Sequence, residues 1–121
     1  MPRILVIDDD ERQRRSIASL LNGAGYPVAV AGDGEEGLKA LHLQPADLVI
    51  ADLVMPIKNG VEFMLELHRN SPQIPVILMS AGGLSDSVSL ELASELGATR
   101  TLVKPFNREE LIAAVKDVLG K

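Results

Sequence analysis

Asp47-Leu48-Val49-Ile50-Ala51-Asp52-Leu53-Val54-Met55-Pro56-Ile57-Lys58-Asn59-Gly60 starts as an apolar run and ends in a carboxylate, a proline and a glycine. An apolar run of this length, bounded by turn residues, predicts a strand buried on both faces, and such strands belong to parallel sheets. Asp52 stands where that strand leaves the core. In open α/β sheets this carboxyl end is where ligands bind.

Four other runs repeat the pattern on either side. Arg3 to Ile7 stops at Asp8-Asp9-Asp10, and Pro75 to Met79 stops at Ser80-Ala81-Gly82-Gly83. Val28 to Ala31 is a shorter strand, and Thr101 to Val103 runs into Lys104-Pro105. Amphipathic stretches fill the intervals. Ile17, Leu20, Leu21 and Ala24 recur at helical spacing, as do Gly37, Leu38 and Leu41, then Gly60, Phe63, Met64 and Leu67. Val88, Leu92 and Leu96 mark a fourth helix from about Ser85 to Gly97, and Leu111, Ile112, Val115 and Leu119 mark a fifth. Asp33 with Glu36, Asn59 with Glu62 and Asn107 with Glu110 stand at the spacing of helix-starting capping boxes, and Asp10 caps the first helix. Strands alternating with helices in this way predict an α/β fold. It is one doubly wound domain over residues 1–121, a parallel sheet with helices on both faces.

Composition narrows the function. At 121 residues, 46% hydrophobic and 24% charged, the chain has the make-up of an ordinary soluble globular domain. A net charge of -5 argues against direct contact with nucleic acid, which needs clustered lysine and arginine. No cysteine means no disulfide, thiolate chemistry or cysteine-ligated zinc, in keeping with a cytoplasmic protein. The N-terminal apolar run is too short for a signal peptide, and no segment approaches the length of a membrane span. Tyr26, Phe63 and Phe106 are the whole aromatic complement, so stacking platforms for bases or sugars are not expected.

Parallel strands put all their carboxyl ends on one edge. That edge collects Asp8, Asp9, Asp52, Ser80 and Lys104, each placed just past the end of its strand. Crowded carboxylates repel unless a cation lies among them. An oxygen-only donor set with open positions suits Mg2+, which binds one or two carboxylates and keeps waters or a phosphate. Lys104 supplies a point charge for a phosphoryl oxygen and Ser80 a hydrogen-bond donor. A carboxylate can itself attack phosphorus to form an aspartyl-phosphate, with metal and lysine stabilising the charge on the transferring group.

In these residues the chain resembles the receiver domain of two-component response regulators, the family of the single-domain chemotaxis regulator, over its whole length. The resemblance implies a flavodoxin-like (βα)5 sheet in 2-1-3-4-5 order and a cytoplasmic phosphorelay protein. It matches Asp8 and Asp9 to the acidic pair that binds Mg2+ or Mn2+. Asp52 matches the phosphoacceptor in a D-x-x-x-P-x-x-x-G pattern completed by Pro56 and Gly60. Val54 would lend its backbone carbonyl to the metal, Ser80 with Ala81 would be the hydroxyl and small residue ending the fourth strand, and Lys104-Pro105 would be the lysine with its cis peptide bond. The implied partners are a histidine kinase or phosphotransfer protein as donor and an output domain or downstream protein as receiver. No output domain is expected within these residues. The resemblance also implies autocatalysed phosphorylation and dephosphorylation in a protein that is mainly a switch, and a dimer surface on the fourth helix, fifth strand and fifth helix. One position departs: Thr101 stands where the family often has an aromatic ring that swings inward, so a ring switch there is ruled out. Val54 and Gly82 lack side chains to position an attacking water, so slow self-dephosphorylation is expected.

Three other assignments fit less well. A flavodoxin-like cofactor site needs a phosphate cradle after the first strand, and Asp8-Asp9-Asp10-Glu11 would repel phosphate. An aspartyl phosphatase needs a second Asp as acid two residues after the nucleophile, and position 54 is Val. A pseudo-receiver would lack reactive residues, whereas each position here is filled. Arg12, Arg14 and Arg15 read as a solvated helix face, and His42 and His68 as surface residues.

Overall fold

A computed structural model of the protein describes residues 2–52, 60–80, 95 and 97–120. Its strands are β1 (Ile4–Ile7), β2 (Val28–Ala31), β3 (Leu48–Asp52), β4 (Val76–Ser80) and β5 (Arg100–Val103). They form a parallel sheet in the order β2-β1-β3-β4-β5, as the resemblance implies. The described helices are α1 (Glu11–Gly23), α2 (Gly34–Leu43), α3 (Gly60–Asn70) and a C-terminal helix (Arg108–Leu119). Most of the expected fourth helix lies outside the described residues; Glu95 is helical, and Gly97 follows with φ 96°.

Alternation along the three central strands sorts the interior into two clusters, one on each side of the sheet. Leu5, Ile7, Val49, Ala51, Val76 and Leu78 pack with Leu41 of α2 and Phe63, Met64 and Leu67 of α3. Ile4, Val6, Leu48, Ile50, Ile77 and Met79 pack with Ile17 and Leu21 of α1 and Leu111, Ala114 and Val115 of the C-terminal helix. Every residue of β1, β3 and β4 is buried, which is why these strands read as unbroken apolar runs rather than as alternating ones.

Two strands run one residue further than the apolar pattern suggests. Asp52 is still in the ladder, in register with Met79, and Ser80 is in register with Val103. Both therefore end their strands from within, instead of standing just past them. Hydrophobicity stops at Ala51 and Met79, but backbone pairing does not depend on the side chain and continues one step.

Helix starts follow the predicted caps. Asp10 accepts from the amides of Arg12 and Gln13, Asp33 from Glu36, and Asn107 with Glu110 forms a complete capping box. The Asn59 cap lies outside the described residues. Gly37 lets α2 approach β1: a Cβ there would collide with Cδ1 of buried Ile7 and lie 3.0 Å from its Cγ1. Replacing Gly37 by Ala gains about 1 kcal/mol of helix propensity but overpacks the core by roughly 1–3 kcal/mol. Gly37→Ala should therefore be destabilising by about 1 kcal/mol in urea unfolding, and Ile7→Val in the same chain should recover most of the loss. A net gain in stability from Gly37→Ala alone would contradict the close approach.

Candidate functional site

Asp8 leaves β1 with its amide bonded to the Ala31 carbonyl at 3.1 Å. One carboxylate oxygen, Oδ1, accepts the Asp10 amide at 2.9 Å and bends the chain into α1. The other, Oδ2, is buried and has no hydrogen-bond partner. Asp9 follows and is exposed. Asp52, at the end of the neighbouring strand, is buried. Oxygens of Asp8, Asp9 and Asp52 all lie within 4.8 Å of one another.

Lys104 closes the site from the far edge. Its amide donates to the Ser80 carbonyl at 2.7 Å, which holds the residue to the end of β4, and the Lys104–Pro105 peptide bond is cis. Its Nζ lies 2.6 Å from Asp52 Oδ2 and 2.8 Å from Oε1 of Gln13. The side chains of Asp52 and Lys104 are only 12% and 19% exposed, so this ion pair is largely shielded from water. Alternation puts Asp8, Asp52 and Lys104 two residues beyond Val6, Ile50 and Leu102, on the α1 side of the sheet. Ser80 follows Leu78 and belongs to the opposite side; its Oγ is buried without a hydrogen-bond partner.

Among the described residues, the three carboxylates gathered here are paired with the ammonium of Lys104. Burial pushes the Asp8 carboxyl above its ordinary value of 3.8; the Asp10 amide and Lys104 work against that shift, while Asp52 and Asp9 add to it. The donor set fits a hard divalent cation. Around Mg2+ at about 2.1 Å, opposite ligand oxygens stand roughly 4.2 Å apart, so oxygens gathered within 4.8 Å of one another close on such an ion with a small inward shift. The partnerless Asp8 Oδ2 is an oxygen that such an ion would satisfy.

Of the expected site residues, Asp8, Asp9, Asp52 and Lys104 meet; Ser80 ends the adjoining strand with its hydroxyl on the other side of the sheet, and Val54, Pro56, Ala81 and Gly82 lie outside the described residues. Thr101 is half-buried in β5, in register with Leu78. His42 and His68 are exposed, as expected. The arginine face needs a correction. Arg15 is solvated and pairs with Glu11, but Arg14 is half-buried and donates from Nη1 to the Asp8 carbonyl at 2.8 Å. Gln13, which no motif singles out, also turns inward and accepts from Lys104. Both stand one helical turn before buried Ile17, so extending the apolar face backwards by three and four residues was the available signal.

The response regulator receiver domain family matches residues 4–116. The transcriptional regulatory protein CpxR of Klebsiella pneumoniae is 40% identical over 121 residues, covering 100% of this chain and 50% of that protein. The DNA-binding response regulator MtrA of Mycobacterium leprae is 37% identical over 114 residues, 94% of this chain and 49% of that one. The chain spans about half the length of these curated relatives. Among solved structures, the Vibrio cholerae chemotaxis protein CheY4 superposes with a TM-score of 0.90 at 31% identity, covering 98% of this chain and 99% of that one. No helix among the described residues is long and apolar enough to cross a membrane.

The raised Asp8 carboxyl has a pH signature. An acid held above its unfolded value keeps its proton in the native state where the unfolded chain has lost it, so metal-free stability falls as pH rises through that interval. Asp8→Asn retains an acceptor for the Asp10 amide and removes the buried charge. Without divalent metal, it should unfold at a higher temperature than the parent at neutral pH, and the advantage should vanish below the ordinary carboxylate range. Calorimetry across pH checks this; a variant less stable than the parent at neutral pH would contradict it.

Proposed function

Because the chain belongs to the response regulator receiver domain family of two-component signalling, we propose that Asp52 is its phosphoacceptor. The observation that carries this is the meeting of three carboxylates within 4.8 Å, with Lys104 bonded to Asp52 at 2.6 Å. An Asp52 carboxylate oxygen attacks phosphorus; the new O–P bond forms as the bond from phosphorus to the donor breaks, and the leaving group departs with the electron pair. Asp8, Asp9 and Asp52, with the Val54 carbonyl, would hold Mg2+ or Mn2+. When bound, the ion supplies charge neutralisation for the phosphoryl oxygens.

Lys104 does the corresponding work from the protein side. Its ammonium already stands on Asp52 and meets the charge that develops on the transferring group without reorganising. Burial of Asp8 and Asp52 keeps bulk water from weakening those interactions. Ser80, whose hydroxyl has no hydrogen-bond partner, is available to a phosphoryl oxygen once the β4 end shifts. The chain then acts as a switch: the added charge favours one of two arrangements at the edge of the sheet. With Thr101 in place of a ring, that response runs through Ser80, Ala81, Lys104 and Pro105 rather than through an aromatic rotamer.

The phosphodonor in this reading is a histidine kinase or phosphotransfer protein in the cytoplasm. The 1–121 unit is the receiver alone, and output lies with another module or a downstream protein. The relatives' names, a transcriptional regulatory protein and a DNA-binding response regulator, make transcriptional output the favoured class. The acidic balance of this domain argues against its touching DNA itself. A homodimer through β5 and the C-terminal helix belongs to the same reading.

Incubation with acetyl phosphate and Mg2+, followed by intact mass, tests the assignment. The parent chain should gain one phosphoryl group and Asp52→Asn none. Lys104→Ala should slow labelling by roughly a hundredfold, whereas Thr101→Ala should leave the rate nearly unchanged. An unlabelled parent, or equal labelling of Asp52→Asn, would overturn the assignment.

A further inference from the structure

We infer that Gln13 is a positioning residue for phosphoryl transfer, holding the Lys104 ammonium in place while Lys104 exchanges partners at Asp52; this rests on the assignment of Asp52 as phosphoacceptor. Gln13 is fixed at both ends. Its amide is bonded to the Asp10 cap at 3.2 Å, in the first turn of α1 and four residues after Asp9. Its side chain lies on the helix face that Ile17 and Leu21 bury, and it is itself half-buried. From there Oε1 accepts Lys104 Nζ at 2.8 Å, across 91 residues of sequence. An ammonium only donates, so the amide atom facing it is the oxygen.

A lysine ammonium carries three N–H donors, and the structure commits two of them, to Asp52 and to Gln13. The two acceptors differ in what the reaction does to them. When Asp52 forms its O–P bond, the negative charge leaves its carboxylate for the phosphoryl oxygens, and the basis of the Lys104–Asp52 pair goes with it. Nothing happens to the Gln13 amide. Lys104 sits on a flexible four-carbon stem, and without a second anchor it would have to be re-ordered each time that pair dissolves. Gln13 keeps it beside the reacting carboxylate, leaving the remaining donors for phosphoryl oxygens.

An amide suits this role better than a charged side chain. A carboxylate at position 13 would add a fourth negative charge beside Asp8, Asp9 and Asp52 and would compete with the phosphoryl group for the lysine. A cation would repel Lys104. Glutamine supplies an acceptor of sufficient reach with no net charge.

Gln13→Met and Gln13→Leu keep the bulk and helix propensity of the side chain but remove the acceptor. In the full 121-residue chain, both should be labelled by acetyl phosphate about five- to tenfold more slowly, the scale of one ordinary hydrogen bond. Mg2+ affinity by isothermal titration and the thermal midpoint should stay at parental values. The readout that a merely structural role would not move is the coupling to Lys104. In a Lys104→Ala background, replacing Gln13 by Met should slow labelling no further. Parental labelling rates in both single variants, or equal fold losses with and without Lys104, would overturn the inference while leaving Asp52 as phosphoacceptor. A parent chain that takes no label removes the phosphoacceptor assignment and this inference with it.

Discussion

Asp8, Asp9 and Asp52 bring oxygens within 4.8 Å of one another at the edge of the sheet, and among the described residues the ammonium of Lys104 stands against them. Asp8 and Asp52 are buried, and charges so placed repel strongly, because little water remains between them to screen the interaction. The fold holds them together all the same. The Asp8 backbone is pinned by Ala31 and Arg14, Asp52 is locked in a ladder between two buried strands, and Lys104 is tied through its amide to Ser80. The surrounding structure holds Asp8, Asp52 and Lys104 in place, so the repulsion between the two buried carboxylates is not relaxed by moving their backbones. What can relieve it is a cation, and that is how a rigid scaffold becomes a site with appetite for one.

The parallel sheet is what makes such crowding possible. Parallel strands end together, whereas antiparallel neighbours would send alternate ends to opposite edges. Period-two alternation then decides which side of the sheet each end-residue serves. Asp8, Asp52 and Lys104 each continue a column that points at α1 and the C-terminal helix, and α1 answers with Gln13 and Arg14. Ser80 continues a column on the side of α2 and α3. The hydroxyl and the ammonium thus approach the same edge from opposite sides of the sheet.

Much of this was legible before any coordinates. Unbroken apolar runs at Leu48 and Val76 identified buried parallel strands, and the caps at Asp10, Asp33 and Asn107 stand where the residues say. The order of Asp8, Asp9, Asp52, Ser80 and Lys104 at strand ends sufficed to bring the chemistry to one edge. Strand ends were read one residue short, because side-chain hydrophobicity marks burial while ladder hydrogen bonds ignore the side chain. Gln13 is singled out by no motif and Arg14 reads as solvent-facing for a different reason. Polar residues on an amphipathic helix are assigned to water by default, and only the tertiary approach of Lys104 and Asp8 turns them inward. Helical periodicity places Gln13 on the inward face, but not the partner it meets there from 91 residues away.

The sheet also acts as a partition. Among the described residues, the cluster beneath α2 and α3 shares no side chain with the one beneath α1 and the C-terminal helix, and Asp8, Asp52 and Lys104, with Gln13, lie on the side of the latter. Mutational drift is therefore unequal on the two halves. Residues of α2 and α3 can be exchanged, within the limits of core volume, without altering any atom that the charged residues touch. The face around α1 has no such freedom, since its first turn serves at once as helix cap, lysine anchor and brace for Asp8. A lineage of such chains can acquire new surfaces on one half, Ser80 apart, while inheriting its charged residues unchanged on the other.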